Sequence, residues 1–348
     1  MAQRKKPYST GNEELDRLIE EFIGELPERD RKLAHEIVTT SLKLAREQIN
    51  TLDRKIVNST LKELRHAFRV FHPYKGTRKV TIFGSARTQK GDSEYVAARD
   101  FSREIAKRGW MVITGAGPGI MEAGHEGAGS KLSFGANIIL PFEAAPNPVI
   151  ADDAKLINFK YFFTRKLTFI KEADAFVLLP GGFGTLDETF ELLTLIQTGK
   201  ATMQPVVLLD KPGGTYWENF EKFLRDELLE RRYINEEDLS LYRVTHDPSE
   251  AVREIDGFYR MYHSQRVVGR RLVIRLNREP SDKIIEILAD EFGDIMDGGI
   301  DRVKASSGEV RDDDVPELPR IAFHFKHAFT GRLRQFIDRL NDLAEDLG

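Results

Sequence analysis

The stretch Pro180-Gly181-Gly182-Phe183-Gly184-Thr185-Leu186-Asp187-Glu188 decides the fold. An apolar run, Ala175 to Leu179, precedes it and reads as a buried strand. Behind it, Phe190, Leu192, Leu193 and Ile196 recur at the spacing of an amphipathic helix. The glycines therefore occupy a strand-to-helix turn. Without Cβ atoms, Gly181, Gly182 and Gly184 let the backbone take positive φ and let a ligand come close. Thr185 or Gly184 is placed to cap the helix, with N–H groups and the positive end of the dipole facing outward. That is a place for a phosphate. Glu188, one turn into the helix, points back toward the same mouth. A carboxylate there suits a reaction that develops positive charge, such as an oxocarbenium-like transition state. It is also the ordinary acidic residue of a first helical turn.

Working outward, strands and helices alternate from Arg78 to about residue 265. Strands are predicted at Val80–Phe83, Trp110–Thr114, Ala136–Leu140, Ala175–Leu179, Val206–Leu209 and Tyr242–Val244. Helices are predicted at Glu94–Lys107, from Ile120 to about Gly127, Tyr161–Lys171, Thr185–Gln197, Tyr216–Glu230 and Pro248–His263. The alternation implies an α/β fold, a doubly wound parallel sheet of Rossmann-like type. Ligands bind such sheets at the carboxyl ends of the strands, where the glycine-rich turns lie. Three helical segments, 1–75, form an N-terminal arm read as a packing or dimerisation module. Residues 266–348 read as a small α+β domain of βαββα order, ferredoxin-like or ACT-like by analogy. The α/β domain between them spans 76–265.

Gly115-Ala116-Gly117-Pro118-Gly119 invites a dinucleotide reading, which the sequence does not support. Ile120 displaces the third glycine of GxGxxG, and Ile138, Ile139 and Leu140 stand where an acidic ribose ligand is expected. No Gly-Lys-Ser/Thr run forms a Walker A loop. The chain has 348 residues, a net charge of −4 and no cysteine. Disulfides, zinc-thiolate sites and thiol nucleophiles are excluded, and the charge gives no argument for a nucleic-acid or membrane partner. The basic start, Met1 to Lys6, is followed by no apolar stretch and does not read as a secretory signal. A cytoplasmic location is the expectation. His324 and His327 fall on opposite faces of a strand, no ligand set forms around the eight histidines, and no metal is expected.

The central turn closely resembles the PGGxGTxxE signature of the LOG family, cytokinin-activating phosphoribohydrolases and their bacterial nucleotide 5'-monophosphate nucleosidase relatives, often labelled "lysine decarboxylase". Thr114 to Ala123 is similar to the family's glycine-rich GGGPGIMEA segment, and Phe83 to Arg87 to its first-strand exit. Phe162-Phe163-Thr164-Arg165-Lys166 resembles its RK element. Thr164 stands where plant-type members have Glu, which points to the longer bacterial branch. The resemblance covers about residues 79–210. It implies Arg165 and Glu188 as a catalytic pair, the guanidinium lowering the carboxyl's pKa so that it stays charged. It implies substrate contacts from Gly84, Ser85, Gly117, Gly119, Glu122, Lys166, Gly181, Gly182, Gly184 and Thr185.

The activity this implies is hydrolysis of the N-glycosidic bond of a nucleoside 5'-monophosphate to free base and ribose 5-phosphate, without a cofactor. Also implied is a homodimer or larger homo-oligomer. A small regulatory ligand on the C-terminal domain is a further expectation. A non-catalytic nucleotide or molybdenum-cofactor carrier on the same scaffold is the alternative, against which the intact Arg165 and Glu188 stand. Amino-acid decarboxylation would need an aldimine lysine, for which Lys166 is the candidate beside the turn, with no PLP pattern around it.

Overall fold

Side-chain alternation along the central strands sorts the interior into two layers. In the computed structural model, which describes residues 8–140, 145–326 and 329–346, the chain divides into two units, 1–65 and 66–348. His327 and the basic start lie outside the described residues. The first unit is helical: α1 (Glu13–Ile23), α2 (Glu28–Arg46) and most of α3 (Thr51–Phe71). Asn12 starts α1, its side chain accepting from the Leu15 N–H at 3.0 Å. Such a cap satisfies one of the unpaired amides of a first helical turn.

The second unit opens with β1 (Lys79–Phe83), α4 (Ser93–Lys107), β2 (Met111–Thr114), α5 (Ile120–Ala128) and β3 (Ser133–Ile138). There follow β4 (Leu156–Phe159), α6 (Phe162–Glu172), β5 (Ala175–Leu178), α7 (Phe183–Gln197), β6 (Val206–Leu209), α8 (Tyr216–Phe223), β7 (Arg243–Thr245) and α9 (Pro248–Phe258). These seven strands pair in parallel in the order β4-β3-β2-β1-β5-β6-β7. The sheet is the doubly wound one expected. Its edge strand β4 is an addition to the sequence reading, and α8 stops at Phe223, where a wider π-helical turn, Leu224–Leu229, takes over.

Successive residues of a strand face opposite sides of a sheet, and here each side has its own core. Val80, Ile82, Val112, Val177 and Val207 pack with Phe101, Ile105, Ile120 and Ile255 from α4, α5 and α9. Met111, Ile113, Phe176, Leu178 and Leu208 pack with Phe169, Leu192, Ile196 and Trp217 from α6, α7 and α8. The winding reverses between β1 and β5. The chain steps outward from β1 to β4, then returns to β5 on the other side of β1. Loops leaving those two strands diverge and open a crevice.

Beyond α9 comes a second sheet, from β8 (Tyr262–Val268), β9 (Arg271–Leu276), β10 (Met296–Arg302) and β11 (Arg320–Phe325), with α10 (Asp282–Glu291), α11 (Ser307–Arg311) and α12 (Thr330–Asp346). The order is β10-β11-β9-β8, antiparallel throughout. β9, α10 and β10 make a split βαβ unit with β11 inserted between its strands, as in a ferredoxin-like layer. The fourth place is filled by β8, which comes before the unit rather than after it. α9 ends at Phe258, short of the expected His263, and β8 takes up the chain where the sequence predicts no strand. A two-residue turn, Gly269-Arg270 with Gly269 at φ +64°, joins β8 to β9 and is the signal that marks the hairpin.

The core on the α7 face continues into this layer through Leu272, Ile274, Phe323 and Phe336. Phe336→Ala in α12 empties a fully buried site and is expected to cost about 3–5 kcal/mol. Because the core is shared, the urea transition followed by fluorescence of Trp110 and Trp217, both in the seven-stranded part, should move to lower denaturant with it. A tryptophan transition that stays in place would show that the two layers unfold separately.

Candidate active site

A cleft of about 1050 Å³ opens where the winding reverses. Its walls are the β1 exit (Gly84 to Arg87), the β2 exit (Gly115, Gly117, Pro118), the end of β3 (Asn137, Ile138), Phe162, Arg165 and Phe169 of α6, the turn Gly181 to Glu188, and Tyr216. Residues as far apart in sequence as Gly84 and Tyr216 thus meet in one concavity.

Two contacts build the floor. The Ser85 N–H donates to the Pro180 carbonyl at 3.1 Å, and the Ile120 N–H donates to the Ser85 carbonyl at 3.0 Å. Close approach at these joints requires glycine. Gly119 has φ +68°, and a Cβ there would lie 2.4 Å from the Ser85 carbonyl oxygen. A Cβ on Gly181 would lie 2.1 Å from Thr185 Oγ1 and 3.0 Å from the Ser85 nitrogen. The turn differs from the expectation in one respect. None of Gly181, Gly182 and Gly184 takes positive φ; Gly181 is needed for space, while Gly182 and Gly184 face open room. The helix cap also differs. Gly182 occupies the N-cap of α7 without a side-chain cap, and Thr185 lies inside the first turn. The first intrahelical bond is Leu186 N–H to the Gly182 carbonyl at 3.1 Å, so the preceding amides are those a helix leaves for an external acceptor.

Glu188 is 8% exposed and lines the cleft. The cation against it is Lys166. Its Nζ lies 3.5 Å from Glu188 Oε2, 2.9 Å from Asp187 Oδ2 and 2.5 Å from Glu191 Oε2. Positions 187, 188 and 191 fall within one turn of α7, so a single ammonium gathers all three. Lys166 was expected to bind substrate; the structure gives it to these acids. Burial opposes its charge, but Glu191, Asp187 and Glu188 outweigh burial and hold its pKa well above the ordinary lysine range. Arg165 lines the cleft beside them. Its Nε donates to the Ala136 carbonyl at 2.8 Å, and its guanidinium sits 5.1 Å from the Phe169 ring.

The charge balance at Glu188 also corrects the expectation. Burial raises its pKa from 4.5 to about 7; Lys166 and Arg165 pull it down, while Glu191 and Asp187 push it up. Desolvation outweighs the cations. Glu122, expected at the substrate, instead pairs with Lys90 at 3.0 Å.

A buried network behind the Gly115–Gly119 turn escaped the sequence reading. His125 is fully buried, its Nε2 3.1 Å from the Phe134 carbonyl and 3.0 Å from Thr114 Oγ1. Asn147 bridges His125 Nδ1 and donates to the carbonyls of Ala116 and Gly117, each at 3.0 Å. Burial pushes the His125 pKa down; Thr114 and Asn147, which the ring joins, hold Ala116, at φ +62°, by its N–H and its carbonyl. Among the described residues no group of three or more His, Asp or Glu side chains could hold a metal ion, and no helix is long and apolar enough to cross a membrane.

Residues 117–255 match a family model described as "Possible lysine decarboxylase". A cytokinin riboside 5'-monophosphate phosphoribohydrolase of Oryza sativa subsp. japonica is 31% identical over 153 residues, 42% of this chain and 60% of that protein. One of Arabidopsis thaliana is 29% identical over 168 residues, 45% of this chain and 72% of that protein. Across the first relatives the match spans 59% to 67% of their own length. Among solved structures, the molybdenum cofactor binding protein of Rippkaea orientalis is 20% identical over 52% of this chain and 96% of its own, with a TM-score of 0.38.

The raised Glu188 pKa makes a stability prediction. A carboxyl whose folded pKa exceeds its unfolded one binds more protons folded than unfolded. Its favourable contribution is full below about pH 4.5 and is lost as pH rises through about 7. Glu188→Gln removes the ionisation. The variant should melt above the parent at pH 8, with the gap closing toward pH 4.5 in paired calorimetric scans. A gap that widens toward acid would contradict the assignment.

Proposed function

We propose that this chain, whose residues 117–255 match the "Possible lysine decarboxylase" family model and which is similar to LOG phosphoribohydrolases, hydrolyses the N-glycosidic bond of nucleoside 5'-monophosphates, AMP among them, to free base and ribose 5-phosphate. The observation that carries the reading is a buried carboxyl, Glu188, on the same helix as an uncapped N-terminus, both facing one cleft. The helix start binds the 5'-phosphate through amides and dipole. Glu188 then lies beside the sugar.

In the reaction the C1'–N bond breaks and its electron pair leaves with the base. Positive charge builds on C1' and the ring oxygen. Ionised Glu188 stabilises that charge and takes a proton from the attacking water as the C1'–O bond forms. This proton balances the one gained by the departing base. A pKa near 7 suits a base working at neutral pH. Arg165, always cationic, faces the same cleft and orients the ribose or the leaving group. Decarboxylation through a lysine imine fits poorly. Such a lysine must be available as a neutral amine, whereas Lys166 is an ammonium bound by three carboxylates.

AMP should be cleaved far faster than adenosine, because binding energy at the phosphate holds the sugar in reactive geometry. Equal rates for the two, by chromatography of released adenine, would remove the phosphate from the cleft. Glu188→Gln should bind AMP and lose turnover by about a hundredfold or more. In the parent, kcat/KM should fall as pH drops below about 7, as Glu188 is protonated. Single-turnover cleavage by folded variants decides the role of Glu188; a Gln variant within a few-fold of the parent would end it.

A further inference from the structure

The turn Gly181–Thr185 is braced from outside its own strand and helix. Tyr216, the first residue of α8, donates its hydroxyl hydrogen to the Gly181 carbonyl at 2.7 Å and lines the cleft. The brace is itself anchored. Asp210, just past the end of β6, is 1% exposed. Its Oδ2 accepts from the Tyr216 N–H at 2.9 Å and its Oδ1 from the Lys211 N–H at 2.8 Å. A Cβ on Gly214 would lie 2.2 Å from Asp210 Oδ1, so the loop wraps the carboxylate as closely as a backbone can. His246 lies 2.9 Å from the Gly214 carbonyl, and the Asp210 N–H donates to the Thr245 carbonyl at 2.9 Å. Trp217 Nε1 donates to the Leu209 carbonyl at 3.3 Å. Every support under Tyr216 comes from the adjoining strands, β6 and β7, and the loops that follow them.

A carbonyl can only accept, so the Tyr216 hydroxyl must be the donor. Burial raises the Tyr216 pKa and keeps that proton in place. In a trans peptide the C=O and the N–H lie in one plane and point in opposite directions. Fixing the Gly181 carbonyl therefore fixes the direction of the Gly182 N–H and the angle at which the chain enters α7. That angle aims the first-turn amides. Among the described residues, the other backbone tie of this turn to the neighbouring loop is Ser85 N–H on the Pro180 carbonyl, one residue earlier.

We propose that Tyr216 is a positioning residue: its hydroxyl, anchored through Asp210, holds the Gly181–Thr185 turn in the geometry that receives a 5'-phosphate. The inference rests on the reading of the cleft as a phosphate site, and it reaches no reacting atom. Tyr216→Phe removes one oxygen and keeps the ring, its packing and its backbone tie to Asp210. The full-length variant should show a KM for AMP about five- to tenfold above the parent, the range of one hydrogen bond, with kcat within twofold. Cleavage of adenosine, which has no phosphate, should keep its kcat/KM. Calorimetric titration with ribose 5-phosphate should show a Kd raised by the same factor as KM.

An unchanged KM and Kd would overturn the proposal. So would an equal loss on adenosine and AMP, which is the signature of a general structural role. If the parent cleaves no nucleotide, the hydrolase reading fails, and the titration alone still decides whether Tyr216 sets the affinity for the phosphate.

Discussion

The cleft depends on the backbone of Ser85, which is gripped on both sides: its N–H by the Pro180 carbonyl and its carbonyl by the Ile120 N–H. Those partners bound the two glycine-rich turns: Pro180 opens the one that leads into α7, and Ile120 closes the one that leads into α5. Because β1 lies at the centre of the sheet, with β2 and β5 on either side, one residue at its exit can touch both turns at once. The glycines follow from this contact. Gly119 and Gly181 are the places where a Cβ would push Ser85 away. Helix α5 and helix α7 are thereby presented to one concavity with their N-termini forward, and the local field there favours an anion.

For Glu188 that field and its own burial pull in opposite directions. A carboxylate beside helix N-termini gains from the dipole, yet one removed from water loses more. The three acids of α7 share one ammonium, so Lys166 cannot serve Glu188 alone. The group is consequently poised near neutrality rather than fixed in its charged form. Burying a carboxyl in this way costs folding free energy wherever the group is ionised.

Much of this was legible in the chain. A five-residue apolar run, a glycine turn and a helical period are local signals, and they placed β5, the turn and the start of the site. The alternation of elements gave the parallel sheet. What escaped had no local signal or a weak one. β4, Leu156–Phe159, is a short edge strand that alternates in burial and includes an exposed Asn158. β8 carries His263, Ser264, Gln265 and Arg266 and reads as polar chain until its two-residue turn is noticed. The Lys166 cage was readable in principle, since acids at 187, 188 and 191 share a face of a helix. The rise in the Glu188 pKa was not, because it depends on depth of burial. Nor was the His125–Asn147 network, whose members meet only after the sheet is assembled.

The position of β8 in the second sheet bears on how that sheet comes into being. A ferredoxin-like layer with its outer strand at the end of the chain must wait for the last residues to finish its edge. Here the outer strand is made first and joined to β9 by two residues. Hairpins of this kind close in microseconds because little chain entropy is lost. Growth from the ribosome would thus present a finished β8–β9 ribbon before α10 or β10 exists. What remains for the final segment is the docking of α12, whose Leu333, Phe336, Ile337 and Leu340 seal the shared core. The vulnerable late intermediate is then an uncovered sheet face rather than an unpaired strand edge, and the two expose a nascent chain to different hazards: adhesion of apolar surface in one case, strand addition in the other.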